Sequence, residues 1–419
     1  TIYSVLNVNY GGGFERWLLE VAPRLRGRGH DVTVVTTDAG IRREHGAEEL
    51  LRSRGVELIE VGAIRAQLTL PDPAGIARLL EAADGSDVLY FNNAFAGNEL
   101  IVLVIRKLSG TPVLSAYHGT FPDVGPRPRR YYHRALNMTI SRAFDGHHVL
   151  NKDRYRLLRS LGYRRVFLIP NGVDTARFRP GNKAQQFTAL FVGRFTYQKG
   201  IDIFVRVAGL LRGSGVRFVA IGDAPPTISS DAIEFLGRLS DEDLVRLYQE
   251  AHVLVAPSRY EELPLALMEA QACGTPVIAS NIPGPRDVIV DGATGFLVRP
   301  DPVEIAAKIL YLAELWRRDG ATYREISRRA RENALRYDWE IMVKLVEGML
   351  SEVALGRSSR GPTAPAHALP VGGASLGDAL GLQDSAEHVQ EPRVPSGRRG
   401  VRDPPGRPPH SDCIAGAER

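Results

Sequence analysis

A chain of 419 residues is long enough for two or three domains once a tail is set aside. Hydrophobic residues at 44% and charged residues at 24% are ordinary for a soluble globular protein. A net charge of +5, carried by 47 Arg against 6 Lys, is a mild basic excess, and nothing in the chain resembles a nucleic-acid-binding module, so no nucleic acid partner is expected. Cys273 and Cys413 lie too far apart for a disulfide framework, which points to a reducing compartment. No apolar run reaches the length of a membrane span, and the first residues read as a strand rather than a signal peptide. The expected location is cytoplasmic, with the inner membrane face as the site of any peripheral contact.

Residues 1–40 read as strand, glycine loop, helix and strand. Such a βαβ unit puts its loop at the carboxyl edge of a parallel sheet. Gly11, Gly12 and Gly13 let the backbone approach a ligand closely, which makes Gly12 and Gly13 candidate contacts. They do not form G-x-G-x-x-G, and no acidic residue ends the next strand, so dinucleotide binding is not indicated. Pro23 inside the helix is expected to kink it. Strands at 56–61, 87–91, 112–117, 145–150 and 166–169, with helices between most of them, complete a first doubly wound domain. Asn92 and Asn93 fall just past one strand end and are expected to face a cleft. His118 follows another strand in the same way. The segment 125–134 mixes Arg with Tyr and reads as an exposed loop entering a helix. Acceptor recognition and contact with an anionic membrane surface are its functional alternatives.

Ile169, Pro170, Asn171 and Gly172 are turn chemistry and mark the boundary to a second domain, where a hinge is expected. A strand at 188–192 opens into the loop 193–200, which carries Arg194 and Lys199. Two cations at a strand's carboxyl edge suit a diphosphate, one as a planar fork and one as a point charge. After strands at 216–221 and 233–236 come Gly237, Arg238 and Leu239. Asp241 and Asp243 form a D-x-D, the motif by which metal-dependent sugar transferases hold their cation. Ser240 before them and the apolar periodicity after them read instead as an N-capped helix with acids in its first turn, so no metal is expected. The strand 253–256 then leads to Glu261 and Glu262, a helix from about Pro264 to Gly274, and a strand over 275–279. Glu269 lies two turns into that helix. Carboxylates accept hydrogen bonds from hydroxyls and a helix start accepts phosphate, a pairing that suits a sugar nucleotide.

In this context the Glu261/Glu269 pair, the 193–200 loop and the opening βαβ unit resemble the retaining glycosyltransferases of family 4. The resemblance runs over residues 1 to about 353. It implies the GT-B fold, an α/β architecture of two facing Rossmann-like doubly wound domains with a cleft between them. The corresponding divisions are an acceptor-side domain at 1–170, a nucleotide-sugar domain at 171–337, and a helix crossing back at 338–355. The segment 356–419, rich in Pro and Gly and poor in apolar bulk, is expected to be disordered. The implied reaction moves a sugar from a nucleoside diphosphate sugar to the hydroxyl of a glycan, lipid or small molecule, with retention and with no metal or cofactor beyond the co-substrate. By the same resemblance Arg194 and Lys199 stabilise the leaving diphosphate, Glu261 holds the sugar's hydroxyls and Glu269 those of the ribose. His118 leans on the sugar from the opposite domain, Arg238 stacks on the base, and Leu263 and Leu265 complete the donor contacts. A sugar-nucleotide epimerase of the same fold and a catalytically inactive nucleotide-sugar or glycan-binding protein are the alternatives. Glu262 departs from the family pattern, standing where a small residue is common, so it either points away from the diphosphate or weakens donor binding.

Overall fold

Parallel strands cannot be joined by hairpins, so each needs a crossover, and helices supply most of them here. The computed structural model describes residues 1–10, 12–38, 46–64, 70–93, 97–119, 138–222 and 229–356. Gly11, the 125–134 segment, Cys413 and the tail from residue 357 lie outside the described residues, as do the expectations attached to them. Seven strands form the first sheet: β1 (Ile2–Ser4), β2 (Thr33–Thr37), β3 (Glu57–Val61), β4 (Leu89–Asn92), β5 (Val113–Tyr117), β6 (Gly146–Val149) and β7 (Val166–Leu168). Six form the second: β8 (Thr188–Val192), β9 (Arg217–Ile221), β10 (Glu234–Leu236), β11 (Val253–Ala256), β12 (Val277–Ser280) and β13 (Gly295–Val298). The spatial orders are β3-β2-β1-β4-β5-β6-β7 and β10-β9-β8-β11-β12-β13. Registers are continuous, as from Thr188↔Arg217 to Val192↔Ile221 between β8 and β9.

Each order reverses once, between β1 and β4 in the first sheet and between β8 and β11 in the second. At such a reversal neighbouring loops leave the carboxyl edge in opposite directions and a crevice opens. The loops after β1, β4, β8 and β11 are therefore where a ligand site belongs.

The apolar positions explain the packing. Trp339, Met342, Val343, Val346, Met349 and Val353 recur at helical spacing along the helix Trp339–Leu355. They join Trp17, Leu18, Val21 and Leu114 in one buried cluster against the first sheet. Arg28 adds ion pairs to Glu340 (3.1 Å) and Glu347 (3.5 Å) at the surface. The last helix thus returns to the sheet on which the chain began. The connector beyond β7 is held by it as well, with Val173 N–H donating to the Tyr337 carbonyl at 2.8 Å and Trp339 N–H to the Val173 carbonyl at 3.2 Å. A Cβ on Gly172 would stand 2.5 Å from the Trp339 ring, which accounts for glycine there.

The helix Gly13–Gly27 includes Pro23 without interruption. One strand boundary needs correction. The strand expected from Thr275 begins at Val277, because Thr275 and Gly274 still belong to the end of the preceding helix. Gly274 N–H donates to Gln271 O and Thr275 N–H to Ala270 O, both at 2.9 Å, with Gly274 at φ +67°. This pair of bonds is a Schellman closure, and it uses the left-handed glycine that the sequence suggested at this position. No helix among the described residues is long and apolar enough to cross a membrane.

Candidate functional site

The loops at the two sheet reversals enclose one cavity of about 810 Å³. Gly12, Gly13, His118, Arg194, Lys199, Arg238, Glu261, Leu263, Leu265 and Glu269 all line it, so every candidate site residue from the sequence reaches the same crevice. Arg16, Asn171, Gln198, Asp241 and Ser258 line it too and were not singled out as ligand contacts.

On the side of the second sheet, Arg194 follows β8 exposed and without a side-chain partner among the described residues. Lys199 Nζ lies 2.5 Å from Glu261 Oε1, which also accepts from Ser258 Oγ at 2.9 Å. Gly200 makes this pairing sterically possible. It sits at φ +74°, and a Cβ there would meet the Pro257 carbonyl oxygen at 2.2 Å. The loop after β8 can therefore press onto the loop after β11, which brings Lys199 to Glu261. Pro264 occupies the cap position, in extended backbone at φ −74° and ψ 125°, and the helix itself is Leu265–Ala272. The helix thus starts beside Pro264, where the sequence places it. The N–H groups of Leu265 and Ala266 have no intrahelical acceptor by geometry and both residues line the cavity, whereas Leu267 N–H donates to the Pro264 carbonyl at 3.3 Å.

Glu269 is buried, with Tyr248 Oη donating to its Oε2 at 2.8 Å and Arg16 Nη1 lying 3.2 Å from its Oε1. Arg16 comes from the first sheet's opening helix, so this contact joins the two halves of the chain. Its other nitrogen lies 3.5 Å from Asp241 Oδ1, and Arg177 takes Asp241 Oδ2 at 2.5 Å. Asp243 pairs with Arg246 at 2.9 Å and receives the Ser240 hydroxyl, while Ser240 Oγ accepts the Asp243 N–H at 3.1 Å. The D-x-D thus starts the helix Asp241–Glu250 as its spacing suggested, with its carboxylates bonded to arginines.

Glu262 points across the cleft. Its carboxylate meets Arg154 at 2.6 Å and Asn151 at 2.5 Å, both from the first sheet's side. Burial pushes the Glu262 carboxyl up from its ordinary range, and the Arg154 guanidinium pulls it back. The departure noted in the sequence is thereby explained as a bridge between the two halves.

On the first sheet's side, Gly12 N–H donates to Glu15 Oε2 at 3.0 Å. Gly12 therefore offers the cavity space rather than a free donor, and a Cβ on Gly13 would meet nothing within 4 Å. Asn92 lines the cavity, whereas Asn93 turns away and donates to Ser115 Oγ at 3.2 Å. The expectation that both asparagines face the cleft fails for Asn93, whose side chain is drawn to the hydroxyl on the neighbouring strand. His118 packs against Phe14 and Trp17, with ring centroids 5.0 and 4.8 Å away. Burial, with His148 adding repulsion, holds its imidazole well below the ordinary histidine range.

The family model described as Glycosyltransferase Family 4 matches residues 11–177, and the one described as Glycosyl transferases group 1 matches residues 173–334. A GDP-mannose-dependent alpha-mannosyltransferase of Corynebacterium glutamicum is 27% identical over 87% of this chain and 92% of its own. Sucrose-phosphate synthase of Thermosynechococcus elongatus superposes with a TM-score of 0.70 at 21% identity, over 85% of this chain and 98% of its own. Anabaena Alr3699/HepE, solved with UDP and glucose, superposes with a TM-score of 0.68 at 18% identity, over 84% and 98%. Two parallel sheets around one such crevice, with these superpositions, give the GT-B architecture, and the two family models give the class, a glycosyltransferase. The chain belongs to glycosyltransferase family 4.

Proposed function

We propose that the cleft moves a hexosyl group from a nucleoside diphosphate sugar to the hydroxyl of a glycan, lipid-linked or small-molecule acceptor, with retention and without a metal ion or further cofactor. The observation that carries this reading is the convergence of Arg194, Lys199, the start of the helix Leu265–Ala272, Glu261 and Glu269 on one cavity that His118 also lines. Negative charge grows on the departing diphosphate as its bond to the sugar breaks, and preorganised cations and amide dipoles stabilise it most where water is excluded. Arg194, Lys199 and the first-turn N–H groups supply that field. Glu261 would accept hydrogen bonds from the sugar's hydroxyls and Glu269 from the ribose, with Arg238 against the base.

Retention fits the state of these carboxylates. Glu261 is bonded to Lys199 and Ser258, and Glu269 to Tyr248 and Arg16, arrangements that suit holding hydroxyls rather than attacking carbon. The acceptor then enters on the face the phosphate leaves, and the departing phosphate oxygen takes its proton.

A thermal-shift screen over UDP, GDP and ADP sugars tests the donor class, since a bound donor raises apparent stability by mass action. One base is expected to raise the melting temperature; no shift with any of the three at saturation would overturn the reading. Glu269→Gln is expected to lower donor kcat/KM about tenfold, the scale of one charge-assisted hydrogen bond. Glutamine keeps an acceptor for the buried Tyr248 hydroxyl, which alanine would leave unpaired, but gives up the ion pair to Arg16, so melting should fall modestly with the fold intact.

A further inference from the structure

Behind His118 runs a chain of hydrogen bonds that dictates which ring nitrogen carries the proton. It begins at the carbonyl of Ile169, which can only accept, so His148 Nε2, 2.8 Å away, is the donor. A neutral imidazole protonated at Nε2 has a lone pair at Nδ1. Tyr90 Oη lies 2.7 Å from His148 Nδ1 and donates to it. With its single proton engaged there, the Tyr90 oxygen acts as acceptor toward His118 Nε2, also at 2.7 Å. His118 Nε2 therefore carries the hydrogen, and Nδ1 keeps the lone pair.

Three further observations support this assignment. Tyr90 is 1% exposed, and its ring stacks on Trp17 at 4.9 Å with a 12° interplanar angle, so the hydroxyl cannot swing to another partner. Burial pulls His148 down to about 4 and raises Tyr90 well above the ordinary tyrosine range, which keeps both neutral through physiological pH. His118 Nδ1 is a buried atom with no hydrogen-bond partner among the described residues, and His118 lines the cavity. A buried acceptor left unmet is costly, so a lone pair kept in this position beside the cavity suits a donor from a ligand.

We infer that Tyr90 and His148 are positioning residues: they hold His118 in its Nε2–H tautomer so that Nδ1 accepts a hydrogen bond from a hydroxyl of the sugar in the cleft. This inference rests on the glycosyl-transfer reading above. Its chemical content is a demand on the ligand, which must present a donor and not a bare acceptor such as a carbonyl or an ether oxygen.

The test is ring-nitrogen NMR on the full chain labelled with ¹⁵N-histidine, using His118→Ala to assign the His118 signals. Wild type is expected to show a protonated Nε2 and a bare Nδ1 at His118, and Tyr90→Phe to lose that fixed pattern. Tyr90→Phe should also lower donor kcat/KM about tenfold while nucleoside diphosphate affinity, read by calorimetry, stays at the wild-type value. A wild-type His118 protonated at Nδ1 would overturn the inference at once, even if Tyr90→Phe does not fold. An altered tautomer with full sugar transfer would remove the positioning role. If His118→Ala also transfers sugar at the wild-type rate, the fault lies in the sugar contact of the underlying reading rather than in the hydrogen-bond chain.

Discussion

Lys199→Ala is expected to lower kcat for sugar transfer about 10²–10³-fold, the scale on which removal of one preorganised donor to a developing anion is felt. The loss should fall mainly on kcat, because the leaving diphosphate carries more charge in the transition state than in the bound donor. Arg194 and the start of the helix Leu265–Ala272 remain to bind the ground state. An objection is that Lys199 acts only by neutralising Glu261, its partner at 2.5 Å. Binding of substrate fragments separates the two roles. If Lys199 grips phosphate, the variant loses affinity for the nucleoside diphosphate but not for the nucleoside. Equal diphosphate affinity in wild type and variant would remove Lys199 from the phosphate site. The fold should tolerate the change, since the Lys199 side chain is only partly buried and Ser258 still donates to the Glu261 oxygen.

The residues on which this expectation stands were legible in the chain because the sheet physics is local. A run such as Val253–Ala256, apolar on both faces, reads as a buried parallel strand, and its first polar neighbours must lie at the carboxyl edge. Arg194, Lys199, Glu261 and His118 were all found by that rule. The N-cap at Ser240 and the left-handed Gly274 were legible for the same reason, each being settled within one turn of chain. What stayed hidden depends on contacts far apart in sequence. Arg16 meets Glu269 across 253 residues, and Arg154 meets Glu262 across 108. No periodicity or spacing encodes such pairs. Arg16 alone left a trace, as a cation in the first turn of the helix that follows the glycine loop. Tyr90 and His148 looked like ordinary strand residues, because alternate residues of a strand sandwiched between helices are buried whatever they do. The error at Thr275 concerns two residues at an element end, where caps rather than patterns decide.

Acidification from pH 7 to 5.5 is expected to destabilise the protein steeply, because several histidines are buried neutral in the fold and take up protons only on unfolding. Burial pulls His147, His148 and His252 down to about 4 from an ordinary 6.5, and holds His118 well below its ordinary range too. Their hydrogen bonds oppose protonation as well. His148 Nδ1 accepts from Tyr90, and His252 Nδ1 accepts the Thr188 N–H at 3.0 Å, so a proton on either nitrogen breaks a bond. A histidine whose folded pKa lies below its unfolded one stabilises fully above 6.5 and loses that contribution as pH falls toward the folded value. The unfolded chain takes up protons that the folded chain refuses, at about 1.4 kcal/mol per pH unit for each histidine. Four such groups give a limiting slope of roughly 5–6 kcal/mol per unit well below pH 6.5, comparable to the 5–15 kcal/mol that holds a domain together. Glu262 and Asp287, both raised by burial, act with the opposite sign and gain as pH falls through their folded values. The histidine contribution is isolated by His147→Phe, which removes one titrating ring packed on Tyr163 at 4.6 Å and gives up only a 3.4 Å contact to the Tyr117 hydroxyl. Urea titrations at half-unit pH steps should show the variant losing stability about one quarter less steeply than wild type. A wild-type protein equally stable at pH 7 and 5.5 would mean that these rings reach water, and the packing described around them would be wrong.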